Sequence, residues 1–329
     1  MNNKFLIKHN DSWDNETEPK FTVITPFYNR RKTIQRTIDS VEKQSYRNFE
    51  YIIIDDGSTE VADDIIEKYM MSTCVPVLFV KKPNGGVHTA RNIGIQLARG
   101  ELLVCIDSDD ELTEHALELF NNAWESIPMS ARKQFWQIKA LCRYTDGSLC
   151  SPMFPQNINE MDNEIARRYF SLANGEQLGC RVTKLLKENP FPEPENVKFV
   201  NECVLWLEME KQYRSFGLNE VVRIYHTDGD DRLCLNNNKS IQSCINAYWN
   251  SSYELSHPET FPMDLRKFSM TLLRYTIMQQ ILNTTDRKIV KQYRAKSRKV
   301  IISTILIYPI SVVGALYYKR IHFRKMGKL

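Results

Sequence analysis

The 329-residue chain has no Cys-x-x-Cys pair. Its eight cysteines stand singly at positions 74, 105, 142, 150, 180, 203, 234 and 244. That spacing argues against a zinc ribbon or a thioredoxin-type dithiol. Several of the cysteines lie inside apolar runs and read as small core residues of a reducing compartment. Two phosphate-binding patterns, G-x-x-x-x-G-K-[ST] and G-x-G-x-x-G, are missing, and so are internal repeats and low-complexity tracts. The first twenty residues, MNNKFLIKHNDSWDNETEPK, hold no long apolar core and are not expected to act as a secretory signal. From Arg287 to Leu329 there are twelve Lys or Arg and no Asp or Glu, whereas the first 286 residues carry 32 basic and 40 acidic side chains. A mildly acidic body therefore precedes a strongly basic tail, which favours an anionic surface, either lipid or nucleic acid.

With 42% hydrophobic and 26% charged residues, the chain can bury a core of one large or two modest domains. Apolar runs at Phe21 to Thr25 (stopped by Pro26), Tyr51 to Ile54, Val77 to Val80 and Leu102 to Ile106 predict strands. Helical spacing follows each of them: Ile34, Ile38 and Val41; Val61, Ile65, Ile66 and Tyr69; Val87, Ala90, Gly94 and Leu97; Leu117, Phe120 and Trp124. Strands without polar alternation are covered on both faces, so four strand–helix units predict a parallel α/β sheet. Further on, Phe135 to Leu141 and Val221 to Tyr225 read as strands. Residues 165–172, 182–187 and 200–209 read as helices, and everything from Asn237 onward as helical.

The polar clusters sit just after the strands, where ligands bind in such sheets. In GELLVCIDSDDEL, three aspartates follow an apolar strand at Asp107, Asp109 and Asp110. A helix cap explains one of them; two or three hard oxygen ligands at a strand end suit Mg2+ or Mn2+. A phosphatase of the haloacid dehalogenase type is a different enzymatic reading, with Asp107 as nucleophile and Asp109 as general acid. Asp55-Asp56-Gly57-Ser58 is a turn that also offers a carboxylate to a base or ribose. Asn84-Gly85-Gly86 allows close backbone approach to a ligand, and Arg91, one turn into the next helix, can bind a phosphate.

Together these stretches, VITPFYNR, TIDSVEKQSYRNFEYIIIDDGSTE and NGGVHTARNIGIQLARGELLVCIDSDDEL, resemble the family-2 glycosyltransferases of the GT-A fold. The resemblance is strong over residues 20 to 125 and looser to about 235. It implies a mostly parallel Rossmann-like sheet flanked by helices, with a helical C-terminal extension. The expected divisions are an extension over 1–19, a nucleotide-sugar-binding half over 20–125, an acceptor-binding half over 126–235, and a helical region over 236–329. It further implies that Pro26 and Tyr28 line the nucleotide pocket and that Asp56 holds the donor base with Asp55 beside it. Arg91 would lie near the donor. Asp107 and Asp109 would form the D-x-D that meets the ribose and a Mn2+ or Mg2+ ion on the diphosphate, with Asp110 extending it.

Inverting members need one general base. The nearest match to the family's Glu-Asp pair is Glu202, followed here by Cys203, and a first-turn glutamate favoured by the helix dipole is its ordinary reading. His226, at a strand end, is a candidate third metal ligand or phosphate donor, and Arg232 lies in the loop after it. The Q-x-x-R-W of the family's processive synthases is absent, so transfer of one sugar per encounter is expected. The implied donor is a nucleotide-diphosphate sugar, UDP-linked by preference, and the acceptor a glycan or lipid-linked glycan of bacterial surface polysaccharide. Nucleic acid is not an expected partner. A non-catalytic nucleotide-sugar sensor is the rival from outside enzymology.

Val300 to Tyr318 is uncharged for 19 residues, with basic clusters on both sides. A spanning helix carries its positive charge on one side, so flanks basic at both ends favour a helix lying in the membrane interface. Packing on the domain and a true span are the alternatives. The expected location is cytoplasmic, peripheral on the cytoplasmic face of the membrane.

Overall fold

The structure, a computed structural model, describes residues 5–14, 16–159, 161, 175–228, 240–257, 265–295 and 297–322. The chain forms two compact units, Met1–Phe191 with Met209–Gly229, and Pro192–Glu208 with Asp230–Leu329.

The first unit is a nine-stranded sheet in the order β1-β4-β3-β2-β5-β8-β7-β9-β6. The strands are β1 Leu6–His9, β2 Phe21–Phe27, β3 Phe49–Asp55, β4 Val77–Lys81, β5 Leu102–Cys105, β6 Glu111–Leu112, β7 Phe135–Tyr144, β8 Gln177–Val182 and β9 Arg214–Tyr225. Strands β4, β3, β2 and β5 run parallel, connected by α1 (Ile34–Glu42), α2 (Asp63–Ser72) and α3 (Val87–Leu97); α4 (Ala116–Ser126) follows β6. Every residue of β2 and β3 is buried, as a strand covered on both faces requires. Helix α1 buries Ile34, Thr37, Ile38 and Val41, one face at three- and four-residue spacing. The short helices α5 (Met129–Arg132) and α6 (Thr183–Glu188) complete this unit among the described residues. Because the four parallel strands point the same way, their carboxyl ends bring residues 26–30, 55–58, 82–86 and 106–110 to one edge.

Two strand bounds need correction, those of β2 and β9. The four strands expected to run parallel do so, and the sheet as a whole is mixed, because β8 lies antiparallel to both β5 and β7, and β1 antiparallel to β4. Strand β8 reads QLGCRV, with a glycine and an arginine interrupting its apolar pattern. Strand β2 also runs through Pro26 to Phe27. Its ladder with β5 ends at Ile24 opposite Cys105, so the donor that proline lacks is not needed on that side. Strand β9 begins at Arg214, seven residues before the predicted start, since its first half alternates polar and apolar residues. The predicted helix 165–172 lies outside the described residues.

The second unit is helical: α7 (Cys203–Gln212, its first residues here), α8 (Ile241–Ser256), α9 (Leu265–Thr285), α10 (Arg287–Gln292) and α11 (Arg298–His322). Ser240 caps α8 in a reciprocal box with Ser243, and Asp286 caps α10 through the amides of Lys288 and Ile289. The core gathers Val200, Val204, Cys244, Trp249, Ile281 and Leu282 around the stacked rings of Tyr248 and Tyr275, 5.0 Å apart.

Candidate active site

The rim of the first unit is built by loops that brace one another. Asn29, in the left-handed region at φ 51°, accepts through Oδ1 from the backbone amides of Thr59 (2.9 Å) and Glu60 (3.0 Å). Its own amide donates to Ser58 Oγ at 2.9 Å, so the loops after β2 and β3 form one surface. Gly57, at φ 75°, lies so close to the loop after β4 that a Cβ would meet the Asn84 nitrogen at 2.5 Å. Only glycine fits there.

Asp56 organises the Asn84-Gly85-Gly86 turn. Its Oδ1 accepts from the Lys82 ammonium and the Gly85 amide (2.9 Å), and its Oδ2 from the Gly86 amide (2.8 Å) and Asn84 Nδ2 (3.3 Å). A carboxylate has about four lone-pair sites, so this one is filled by its own loop. Asp55 is buried and accepts the Ser58 amide at 2.8 Å, the geometry of a side-chain turn. Pro26 is buried within β2, and Tyr28 beyond it is 44% exposed and open to a ligand. Lys82 is itself buried and also donates to Pro83 O (2.7 Å) and Thr89 Oγ1 (2.9 Å). Lys82→Met would strand a buried carboxylate on amide donors alone. We expect a loss of about 2–3 kcal/mol in denaturant unfolding.

The acidic turn follows β5. The Asp110 amide closes it onto Asp107 O (3.1 Å), Thr37 Oγ1 of α1 donates to Asp110 O (2.7 Å), and β6 pins the exit against β9. The three side chains then part. Asp107 is 43% exposed, with Arg91 Nη2 3.1 Å and Arg223 Nη1 4.0 Å from its oxygens. Asp109 is 25% exposed, 3.8 Å from Arg30 Nε. Burial first, and the Asp107 charge second, raise its pKa above the ordinary carboxylate range. Asp110 is buried; its Oδ1 accepts the His226 amide at 2.9 Å, while Oδ2 carries no hydrogen bond and meets only the Arg223 charge at 3.5 Å.

Burial, with the charges of Asp107 and Asp109, pushes the Asp110 pKa up to about 7 against the pull of Arg223 and the His226 amide. The native state therefore holds a proton that the unfolded chain releases near pH 4. The stability this supplies is complete below pH 4 and lost as pH rises through 7. In chelator, the melting temperature of wild type should fall between pH 5 and 8 relative to Asp110→Asn. The gap should be on the order of 2 kcal/mol, and parallel curves would refute the assignment.

The four expected metal ligands do not converge. Among the described residues, no group of three or more His, Cys, Asp or Glu is placed to hold a metal ion. His226 Nδ1 lies 3.0 Å from Arg36 Nη1, which can only donate, so Nδ1 accepts and Nε2 carries the proton that it donates to Glu111 at 2.6 Å. Neither ring nitrogen has a lone pair left for a cation. Asp110 faces His226 and Arg223 rather than solvent. Asp107 and Asp109 remain, the two oxygen donors of the turn that are not fully buried. Burial first and the Asp107 charge second raise the pKa of Asp109, and both costs are what a bound cation would relieve. That donor set fits a hard cation that takes one or two carboxylates from the protein and its other ligands from a diphosphate.

Glu202 belongs to the second unit, immediately before α7. Asn201 Oδ1 accepts the Cys203 amide (2.9 Å), and Glu202 Oε2 accepts from Trp206 Nε1 (3.0 Å). Asn246 and Asn250, one turn apart on α8, hold the backbone of this segment through the amides of Lys198 and Asn201 and the carbonyl of Phe199. The Glu202 side chain is half-buried. Arg232 lies outside the described residues.

Sequence reading passed over Lys82, Arg36, Glu111, Arg223 and Glu176. Arg36 is paired in a two-pronged bond with Asp228 (2.8 and 2.8 Å), and Arg223 bonds Glu176 (2.8 Å). A usable signal existed for Arg223: one cation inside the apolar run VVRIY needs an anion beside it in the fold.

Residues 22–131 match the model of the family described as Glycosyl transferase family 2. The GalNAc(5)-diNAcBac-PP-undecaprenol beta-1,3-glucosyltransferase of Campylobacter jejuni is 26% identical over 229 residues, covering 68% of this chain and 69% of its own. Two uncharacterized Rickettsia glycosyltransferases are 28% identical, and the chain spans only 36% and 43% of their length. Among solved structures, Staphylococcus aureus TarS 1–349 in complex with UDP-GlcNAc superposes with a TM-score of 0.53 at 19% identity over 89% of this chain and 81% of its own. The Pyrobaculum calidifontis mannosyltransferase PcManGT, with GDP-Man and Mn2+, gives 0.51 at 17% identity over 93% and 89%. The mixed sheet with its acidic turn beyond β5 is thus the GT-A fold.

Proposed function

We propose that this chain, which carries a family 2 glycosyltransferase domain on a GT-A fold, transfers one sugar from a nucleotide-diphosphate sugar to an acceptor hydroxyl with inversion. The observation that carries the reading is the pair of carboxylates Asp107 and Asp109, on a turn held by Thr37 and by the pairing of β6 with β9, with Arg91 3.1 Å from Asp107. A UDP-sugar is the favoured donor. A lipid-linked glycan in bacterial surface polysaccharide synthesis is the favoured acceptor, in keeping with the undecaprenol-linked substrate in the name of the Campylobacter relative. The cytoplasmic face of the membrane is the proposed location, with contact through residues 287–329.

Each residue's role follows from its chemistry. Tyr28 stacks on the base, and the turn held by Asp56 and Lys82 keeps two glycines at the rim, where a nucleotide can approach the backbone closely. Asp107 and Asp109 would hold a Mn2+ or Mg2+ ion, which when bound would offset the charge that grows on a departing nucleoside diphosphate. Asp110 and His226 keep the turn in place through Arg223, Glu111 and Arg36. Glu202 is the proposed base; it must come within hydrogen-bond reach of the acceptor hydroxyl and take its proton as the hydroxyl attacks the anomeric carbon. The match over residues 22–131 includes the acidic turn, which favours this role over Asp107 as a phosphatase nucleophile. A thermal-shift screen of nucleoside diphosphates with and without Mn2+ tests the reading. Stabilisation by one base that needs both components supports it, and indifference to every nucleotide refutes it. The anomeric configuration of the product, read by NMR, tests inversion.

A further inference from the structure

Helix α11 is apolar on all sides, and its sides meet different surroundings. Val300, Ser311 and Ala315 are buried within the helical unit. Gly314 sets the closeness of α11 to α9: a Cβ there would meet Ile277 Cδ1 at 2.8 Å. On the opposite side Ile302, Ile305, Leu306, Ile310, Val313 and Leu316 recur at three- and four-residue spacing and are 59% to 75% exposed. That stripe is a continuous exposed apolar surface of the kind that marks an interaction site. At the start of α11, Lys299 sits over the Phe268 ring at 5.0 Å, and at its other end Arg320 is exposed. No acidic residue follows Asp286 in the sequence.

The segment Lys299–Tyr318 is long and apolar enough to cross a bilayer by length and composition. Its packing argues against crossing. Helix α9, against which it lies, carries exposed Arg266, Lys267 and Arg274 in its first ten residues, and that part of the pair could not enter hydrocarbon without burying those charges. Charge at both ends of α11 also suits a helix lying flat, where both ends reach headgroups.

We propose that the outward stripe of α11 inserts into the headgroup–acyl boundary of an anionic membrane, with α11 parallel to the surface and its inner side still packed on α9. The basic ends of the helix select anionic headgroups, and the stripe supplies the apolar contact. This deepens the membrane contact proposed above and rests on that reading, but it is independent of the catalytic assignment.

The test is co-sedimentation of the full chain with phosphatidylcholine vesicles, with and without about 30% phosphatidylglycerol. Wild type should sediment with the anionic vesicles, leave them as salt rises, and be released by alkaline carbonate. Ile305→Lys with Leu306→Lys should cut the bound fraction roughly tenfold or more without altering the melting temperature or nucleotide binding. Lys319→Glu with Arg320→Glu should remove the preference for anionic lipid. Equal binding by the Ile305/Leu306 variant, no binding by wild type, or resistance to carbonate (a spanning helix) would each overturn the proposal. So would a dimer that this variant dissolves while vesicles are ignored. Nucleotide binding measured on the same samples separates failure here from failure of the glycosyltransferase reading.

Discussion

Glu202→Gln is expected to lower kcat by about 10²–10⁴-fold while nucleotide-sugar binding stays within a factor of about two. Glutamine keeps the size of the side chain and can still accept the bond from Trp206 Nε1 at 3.0 Å through its carbonyl oxygen, so the segment before α7 should hold its shape. What disappears is proton affinity. An acceptor hydroxyl attacking an anomeric carbon becomes strongly acidic as the bond forms, and without a carboxylate in reach the proton has no recipient. The loss should therefore fall on kcat rather than on the KM for donor. A bystander glutamate at a helix start would instead leave kcat intact and cost a few tenths of a kcal/mol of stability. Measuring kcat, donor KM and melting temperature on one preparation separates the two outcomes. Glu202→Asp should recover part of the rate if the carboxylate is the working group.

Asp109→Ala is expected to remove the cooperation between cation and nucleotide and to reduce kcat/KM by about 10³-fold, the several kcal/mol that charge neutralisation at a leaving diphosphate supplies. Asp109 pays a desolvation penalty beside Asp107, visible in its raised pKa. Removing it should leave the empty protein no less stable, and even slightly more so. That pairing of a steady or rising melting temperature with lost Mn2+-dependent nucleotide binding marks a group kept for its ligand. If the variant binds nucleotide and Mn2+ as wild type does, Asp109 has no part in the site.

The parallel half of the sheet was legible because its signal is local. Strands such as YIII and LLVCI are apolar throughout, and each is followed by helical spacing and a polar turn. The second half was harder. Strand β8 carries Gly179 and Arg181, and the first half of β9 alternates, so neither stands out as an apolar run. The site shows the same division. Asp107 and Asp109 declared themselves by spacing along the chain. The engagement of His226 with Arg36 and Glu111 depends on residues 190 and 115 positions away, which no local pattern reports. Asp56 was legible as a rim carboxylate but not as the group that fastens Gly85 and Gly86. A sequence displays the carboxylate; the donors that occupy it arrive only with folding.

A crystal soaked with UDP and Mn2+ tests the central claim most directly, because manganese is located by its anomalous signal independently of the fitted protein. The account predicts one manganese peak about 2.0–2.4 Å from an oxygen of Asp107 or Asp109 and bridged to the diphosphate, with His226 still bonded to Glu111. Manganese coordinated by His226, or UDP bound away from the turn after β5, would contradict it.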